Sequence, residues 1–366
     1  MTLRWWWLLL PLLVVPAARG QSAPESGEPQ KPVLRNRPAV DPQAAAKARR
    51  VELHAVVTDS AGKPLTGLQA WDFKLLDNGA PSKILYFRAF HGAAAQPDPS
   101  VEVILVLDAL NNNGQEQAIA RSETVRFLEK NGGHLAHPVS LMVLTDKGLK
   151  VQPRPSSDGR KVVRLLRKLT PRISVFNTAM GRNGDIERFN RSLGQIQLIA
   201  ENETHKPGRK VLVWVGTGWP LEEMQHMLPS LSDNAKYFND AVDLTNWLME
   251  GETTVCTVLP LDSTAGAAQI NPEFYKAFLK PVLREQDASS GSLALRVLAV
   301  HSGGRVLGPG NDVAEQIEQC AEDTDFSYRV TFEPLKGPAG TYHELKLIVD
   351  RPGLTVRTTS GYYSQP

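Results

Sequence analysis

Cysteine is nearly absent from this 366-residue chain: Cys256 and Cys320 are the only two. That rules out a disulfide-built scaffold, and with no CxxC pair the usual zinc and dithiol motifs go too. An excess of either charge is also missing. Lys+Arg number 41 against Asp+Glu 39, and the first twenty residues hold Arg4 and Arg19 but no acid, so 41 minus 2 leaves 39 against 39 beyond them. Without a bulk field to draw in a polyanion, no nucleic-acid partner is expected. Past residue 20 there is no apolar run long enough to span a bilayer. The catalytic signatures common on α/β sheets are lacking as well. No GxGxxG follows a strand, and there is no GxxxxGK[ST] loop, no G-x-S-x-G elbow and no HExxH.

What is present begins with a secretory pattern. Arg4 is a basic leader, Trp5 through Val15 an apolar stretch, and Ala18-Arg19-Gly20 offers small residues for cleavage before Gln21. The alternative, an uncleaved anchor, needs about 20 apolar residues, and this run is shorter and broken by Pro11. Residues 1–20 therefore read as a signal peptide. The mature chain is expected to be secreted or periplasmic and not an integral membrane protein. Residues 21–50, with Pro24, Pro29, Pro32, Pro38 and Pro42, read as a disordered linker. An exported chain meets oxidants, so Cys256 and Cys320 are candidates for a disulfide; two buried thiols are the alternative, and both remain open.

Hydrophobic periodicity then divides the chain. VELHAVVT (51–58) alternates as a strand, and Asp77-Asn78-Gly79 marks a hairpin between Phe73–Leu76 and Ile84–Phe87. Strands also fit FSYRVTFEP, HELKLIVD and LTVRTTSGYY near the end. The segments 51–92 and 325–364 are thus expected to form one discontinuous β-sandwich. Between them VEVILVLD, VSLMVLT, KVLVWVG and TTVCTVLPLD are continuous apolar runs, as for strands covered on both faces. They alternate with helical stripes such as Ile186, Phe189, Leu193, Ile196 and Ala200. The expected fold class is α/β: a doubly wound, mainly parallel sheet over residues 98–322, inserted between the sandwich halves.

Ligands on doubly wound sheets bind at the C-terminal strand ends. Asp108 closes the first such strand and is followed by Asn111-Asn112-Asn113. A carboxylate there needs solvent, backbone donors or a cation. His134 and His137, among Gly and Pro with no acid nearby in sequence, read as surface histidines. Trp71 and Trp214 read as core, and the Asn202-Glu203-Thr204 sequon as idle.

Region 101–322 resembles a von Willebrand factor type A domain, and the whole chain resembles the bacterial, acidobacterial-type family of exported proteins related to it. The segments that carry the likeness are VTDSAGKPLTGLQAWDFKLLDNGAPSKILYF, VEVILVLDALNNN, GRKVLVWVGTGWPL and FSYRVTFEPLKGPAGTYHELKLIVDRPGLTVRTTSGYY, in that order. The resemblance implies a metal-ion-dependent adhesion site, in which hard oxygen ligands hold Mg²⁺ with one position open for a partner's carboxylate. Asp108 matches the first aspartate of its D-x-S-x-S motif, Asn112 stands for the second serine, and Thr178 for the later threonine. Leu110 stands where a serine belongs, and Gly216-Thr217-Gly218 replaces the second carboxylate loop. The site is therefore expected to be degenerate, with Asp108, Asn112 and Thr178 as what is left for Mg²⁺ and no other cofactor called for.

The leading expectation is an exported, non-enzymatic interaction or adhesion module. It would bind a protein or other extracellular ligand through an upper rim made of Asn111, Asn113, Thr217 and Trp219, with weak or no metal dependence. Two alternatives stand beside it: a metal-assisted hydrolase using Asp108 with Asp146 or Asp262, and a structural subunit of an envelope assembly.

Overall fold

A computed structural model describes residues 50–91, 101–169, 181–219, 231–260, 273–310 and 312–365. The expected signal peptide, the linker up to residue 49, Thr178 and Asp262 lie outside the described residues. Among the described residues no helix is long and apolar enough to cross a membrane.

The first β segment holds β1 (Val51–Thr58), β2 (Phe73–Asp77), β3 (Ala80–Ser82) and β4 (Ile84–His91). The last holds β12 (Phe326–Phe332), β13 (Tyr342–Val349), β14 (Thr355–Arg357) and β15 (Gly361–Tyr363). They interleave into two antiparallel sheets, ordered β14-β1-β12-β4 and β15-β13-β2-β3. Each sheet draws strands from both ends of the chain. Alternate residues Leu53, Ala55 and Val57 of β1 meet Phe73 and Leu75 of β2, Val330 of β12 and Leu345 and Leu347 of β13 in one apolar cluster.

The hairpin at Asn78-Gly79 forms as read, with both residues at positive φ, 49° and 79°, the conformation a two-residue turn of this hand requires. Its second strand is β3, however, and Ile84 opens β4 in the other sheet. Trp71 also departs from expectation. It sits on a 3-10 turn (Ala70–Asp72) and is 82% exposed. Buried Leu68, one turn earlier, occupies the core position.

Between these segments lie β5 (Glu102–Asp108), α1 (Gly114–Glu129), β6 (His134–Thr145), β7 (Gly148–Val151), β8 (Ser156–Asp158), α2 (Gly159–Leu169), α3 (Gly181–Thr204), β9 (Lys210–Val215), α4 (Leu231–Glu250), β10 (Thr253–Pro260), α5 (Leu295–His301), β11 (Val306–Gly310) and α6 (Val313–Glu322). The central sheet runs β11-β10-β9-β5-β6-β7; β7 and β8 are antiparallel to β6 and the other pairings are parallel. Strand alternation divides its side chains between two cores. Ile104, Val106, Leu212 and Trp214 face α3, α4 and α5 through Phe189, Leu244 and Leu298. Leu105, Leu107, Val213 and Val215 face α1, α2 and α6 through Leu128, Val163 and Ile317. Helices on both faces explain why these strands carry no polar stripe.

Cys256 and Cys320 both sit in the second of these cores, fully buried and free, with the thiols hydrogen-bonded to each other. Burial first, and the neighbouring Cys256 second, pushes the Cys320 thiol well above its ordinary value.

Candidate functional site

Parallel β5 and β9 deliver Asp108 and Gly216 to neighbouring strand ends, where the expected rim lies. Asp108 is 1% exposed. Its Oδ1 accepts the backbone N–H groups of Leu110 at 3.1 Å and Asn111 at 2.9 Å. Its Oδ2 accepts Asn111 Nδ2 at 2.8 Å and the indole Nε1–H of Trp214 at 2.9 Å. Burial pushes the Asp108 carboxyl above its usual range, while these four donors pull the other way.

The asparagine run is similarly engaged. Asn111 Nδ2 also reaches Ser192 Oγ on α3 at 3.0 Å. Asn112 Oδ1 accepts the Thr217 N–H at 3.0 Å and lies 3.3 Å from Thr217 Oγ1. Asn113 is the N-cap of α1: its Oδ1 accepts from the Gln115 and Glu116 N–H groups, and the Glu116 carboxylate in turn accepts the Asn113 N–H. That capping box starts the helix directly beyond the site. Gln117 Nε2 binds the carbonyls of Ala109 and Asn112. Gly216 makes the close approach feasible, since a Cβ there would stand 2.6 Å from Asp108 Cβ and 3.1 Å from Asn112 Oδ1.

Among the described residues, the donors around Asp108 leave its carboxylate no open position for Mg²⁺. Each oxygen of the one carboxylate already accepts two N–H groups, and the Trp214 proton points at Oδ2, where a cation would have to approach. Leu110 is 2% exposed and packs in the core with Trp214. Asp146 follows β6 in the tight turn to β7, its carbonyl accepting from Arg191. Among the described residues the one group of His, Cys, Asp or Glu side chains close enough to share an ion is Glu52, His54 and Glu252, away from Asp108.

The rim residues do not share one character. Asn113 is exposed, and Asn111 and Thr217 are half-buried. Trp219 is 5% exposed, its ring edge-on to Phe189 at 6.3 Å and Trp214 at 5.8 Å between centroids; it closes the core over the strand end. Asn111 Oδ1, Asn112 Nδ2 and Trp219 Nε1 are buried without a hydrogen-bond partner among the described residues.

Three contributors escaped the sequence reading. Trp214 looked like plain core, yet its indole N–H holds Asp108 from 106 positions away. Gly216 looked like a missing aspartate, yet its lack of a side chain is what lets β5 and β9 meet here. Ser192 carried no signal at all. His137 also reads differently in three dimensions: on β6, it places Nε2 2.9 Å from Asp325 Oδ1 and 2.7 Å from Thr324 Oγ1. The acid absent from its sequence neighbourhood arrives from 188 positions downstream.

No family model matches the sequence, and no curated protein matches it. Solved structures with similar chain traces include the SpRpn10 VWA domain, at 12% identity and a TM-score of 0.30 over 60% of this chain and 94% of that one. Another is the pilus adhesin SpaC from Lactobacillus rhamnosus GG, at 8% identity and a TM-score of 0.30 over 80% of this chain and 48% of the adhesin.

Proposed function

We propose that this chain is an exported, non-enzymatic protein-interaction module that contacts a protein or other extracellular ligand through the strand-end rim without using a metal ion. In this reading a von Willebrand factor A-like region, residues 98–322, is inserted between the halves of a β-sandwich formed by 51–92 and 325–364. Export rests on the pattern in residues 1–20. The sandwich is supported by the strand exchange between the chain's two ends and their common apolar cluster.

The single observation that carries the proposal is the fourfold hydrogen bonding of Asp108. A carboxylate whose lone pairs all face protein donors orders a loop instead of holding an ion. The consequence is a rim whose exposed groups, Asn113, Asn111 and Thr217, sit on backbone already fixed, so binding need not order that loop.

The test is site-specific photo-crosslinking in the producing cells, with the reactive group placed at Asn113 or Thr217 and, as a comparison, at Lys346 on the outer face of β13. Adducts at the rim positions that persist with chelator support the proposal. Adducts confined to Lys346 would indicate a structural assembly subunit, and loss of rim adducts on chelation would restore the metal. Calorimetric titration with Mg²⁺, Mn²⁺ and Ca²⁺ is expected to give no heat; heat that disappears in an Asp108→Ala variant would place a metal at Asp108 and overturn the metal-free reading.

A further inference from the structure

At the end of the central sheet opposite the rim, the early parts of β5 and β6 and the C-terminal ends of α1 and α6 enclose a half-open cavity of about 160 Å³. That is room for a group about the size of a benzene ring. Its floor is apolar, with Val103, Leu135 and Val139 buried and Phe127 and Ala321 half-buried.

The mouth has an unbalanced charge. Glu318, Glu322 and Asp325 converge there; Lys130 pairs with Glu318 and His137 Nε2 lies 2.9 Å from Asp325 Oδ1, which leaves Glu322. Among the described residues Glu322 has no ion pair. Arg305, whose field also reaches Glu322, is engaged with both oxygens of Asp323. Burial, then the like charges of Glu318 and Asp325, pushes the Glu322 carboxyl above its ordinary value, with Arg305 and Lys130 opposing. Helix geometry makes the imbalance worse. Glu318 and Glu322 lie toward the C-terminus of α6, whose last turn has no basic residue, and carboxylates at the negative end of a helix dipole weaken the helix. Glu322 is thus an exposed carboxylate without an ion pair among the described residues, at the lip of an apolar cavity.

We propose that this cavity is an anchor site for one cationic side chain, arginine or lysine, of a protein partner. The methylene stem would lie on Val103, Phe127 and Leu135 while the charged head meets Glu322 at the mouth, beside the His137-bonded Asp325, as long basic side chains do when they bury only their stems. The site goes beyond the rim reading and does not depend on it.

The probe is n-butylguanidinium, titrated into the full chain while the ring C–H signals of His134 and His137, both lining the cavity, are followed by NMR. Single His→Gln variants assign those signals. The expected result is a saturable shift of both, with a dissociation constant on the order of 1–10 mM. Pentanol of similar length is expected to bind at least about threefold more weakly, and Glu322→Gln to weaken guanidinium binding by about the same factor. Butyrate and Mg²⁺ are expected to give no shift. Because Glu322 opposes the fold, Glu322→Gln is also expected to match or exceed the parent in urea midpoint, whereas a purely structural Glu322 would lower it. Equal binding of pentanol would reduce the site to an apolar pocket, and a saturable response to Mg²⁺ would make it a metal site. No response to the guanidinium, or full affinity in Glu322→Gln, would also overturn the proposal. None of these results bears on crosslinking at Asn113 or Thr217.

Discussion

Acidification is expected to destabilise the chain through His54. This residue of β1 is buried, and its Nε2 lies 2.6 Å from Oε2 of Glu252, in the turn between α4 and β10. The contact therefore ties the terminal sheets to the central α/β region. Burial lowers the imidazole from 6.5 to about 4; Glu252 opposes the shift, and the positive charges of Arg209 and Arg329 add to it. The unfolded chain thus takes up the proton first as pH falls. Stability from this group is complete above the unfolded value and is lost progressively as pH drops from 6.5 toward 4.

Two proton affinities separated by that interval give a loss of about 2 kcal/mol between about pH 7 and about pH 5. Urea unfolding at the two pH values measures it, with His54→Gln as comparator. Glutamine keeps an N–H for Glu252 but does not titrate, and subtracting its curve removes other groups of the same sign, such as half-buried His301, also shifted down. The difference between the two proteins is expected to change by about 2 kcal/mol across the window. Parallel stability curves would refute the reasoning.

Gly216→Ala drives a methyl group into Asp108 Cβ and Asn112; a loss of about 1–3 kcal/mol in urea unfolding is expected, and a stability equal to the parent would mean the strand ends are looser than described. Trp214→Phe removes a buried donor to Asp108 and is expected to cost about 2 kcal/mol or more, whereas Trp71→Ala, at an exposed position, is expected to stay within about 0.5 kcal/mol of the parent. The two thiols are expected to resist a thiol reagent in the native protein and both to react after unfolding in denaturant. A mass short by two hydrogens would instead reveal a Cys256–Cys320 bridge.

Features that depend on near neighbours were legible beforehand. Asn113 and Glu116 are three positions apart, so their capping box is written locally, although Asn113 was expected only as a rim residue. Asn78-Gly79 needs only its own dihedrals. Continuous apolar runs such as KVLVWV announce a strand covered on both faces because every other residue meets a different core. Reading fails where the partner is remote. Nothing local distinguishes Trp71, exposed on its turn, from Trp214, buried on β9. Nothing near His137 announces Asp325. The hairpin was visible, but not that Ile84 would leave it for the other sheet.

Asp108 marks the division most clearly. Its place at the end of a buried strand, with a polar loop after it and a leucine where a ligand would stand, was set by the order of residues alone. Whether the carboxylate holds an ion or a loop was decided by the parallel pairing of β5 and β9. That pairing brings Trp214 Nε1 and the bare backbone of Gly216 to within a few ångströms of it. A buried charge is governed by whatever donors surround it in space, and spatial neighbours more than a hundred positions apart do not exist until the sheet has formed.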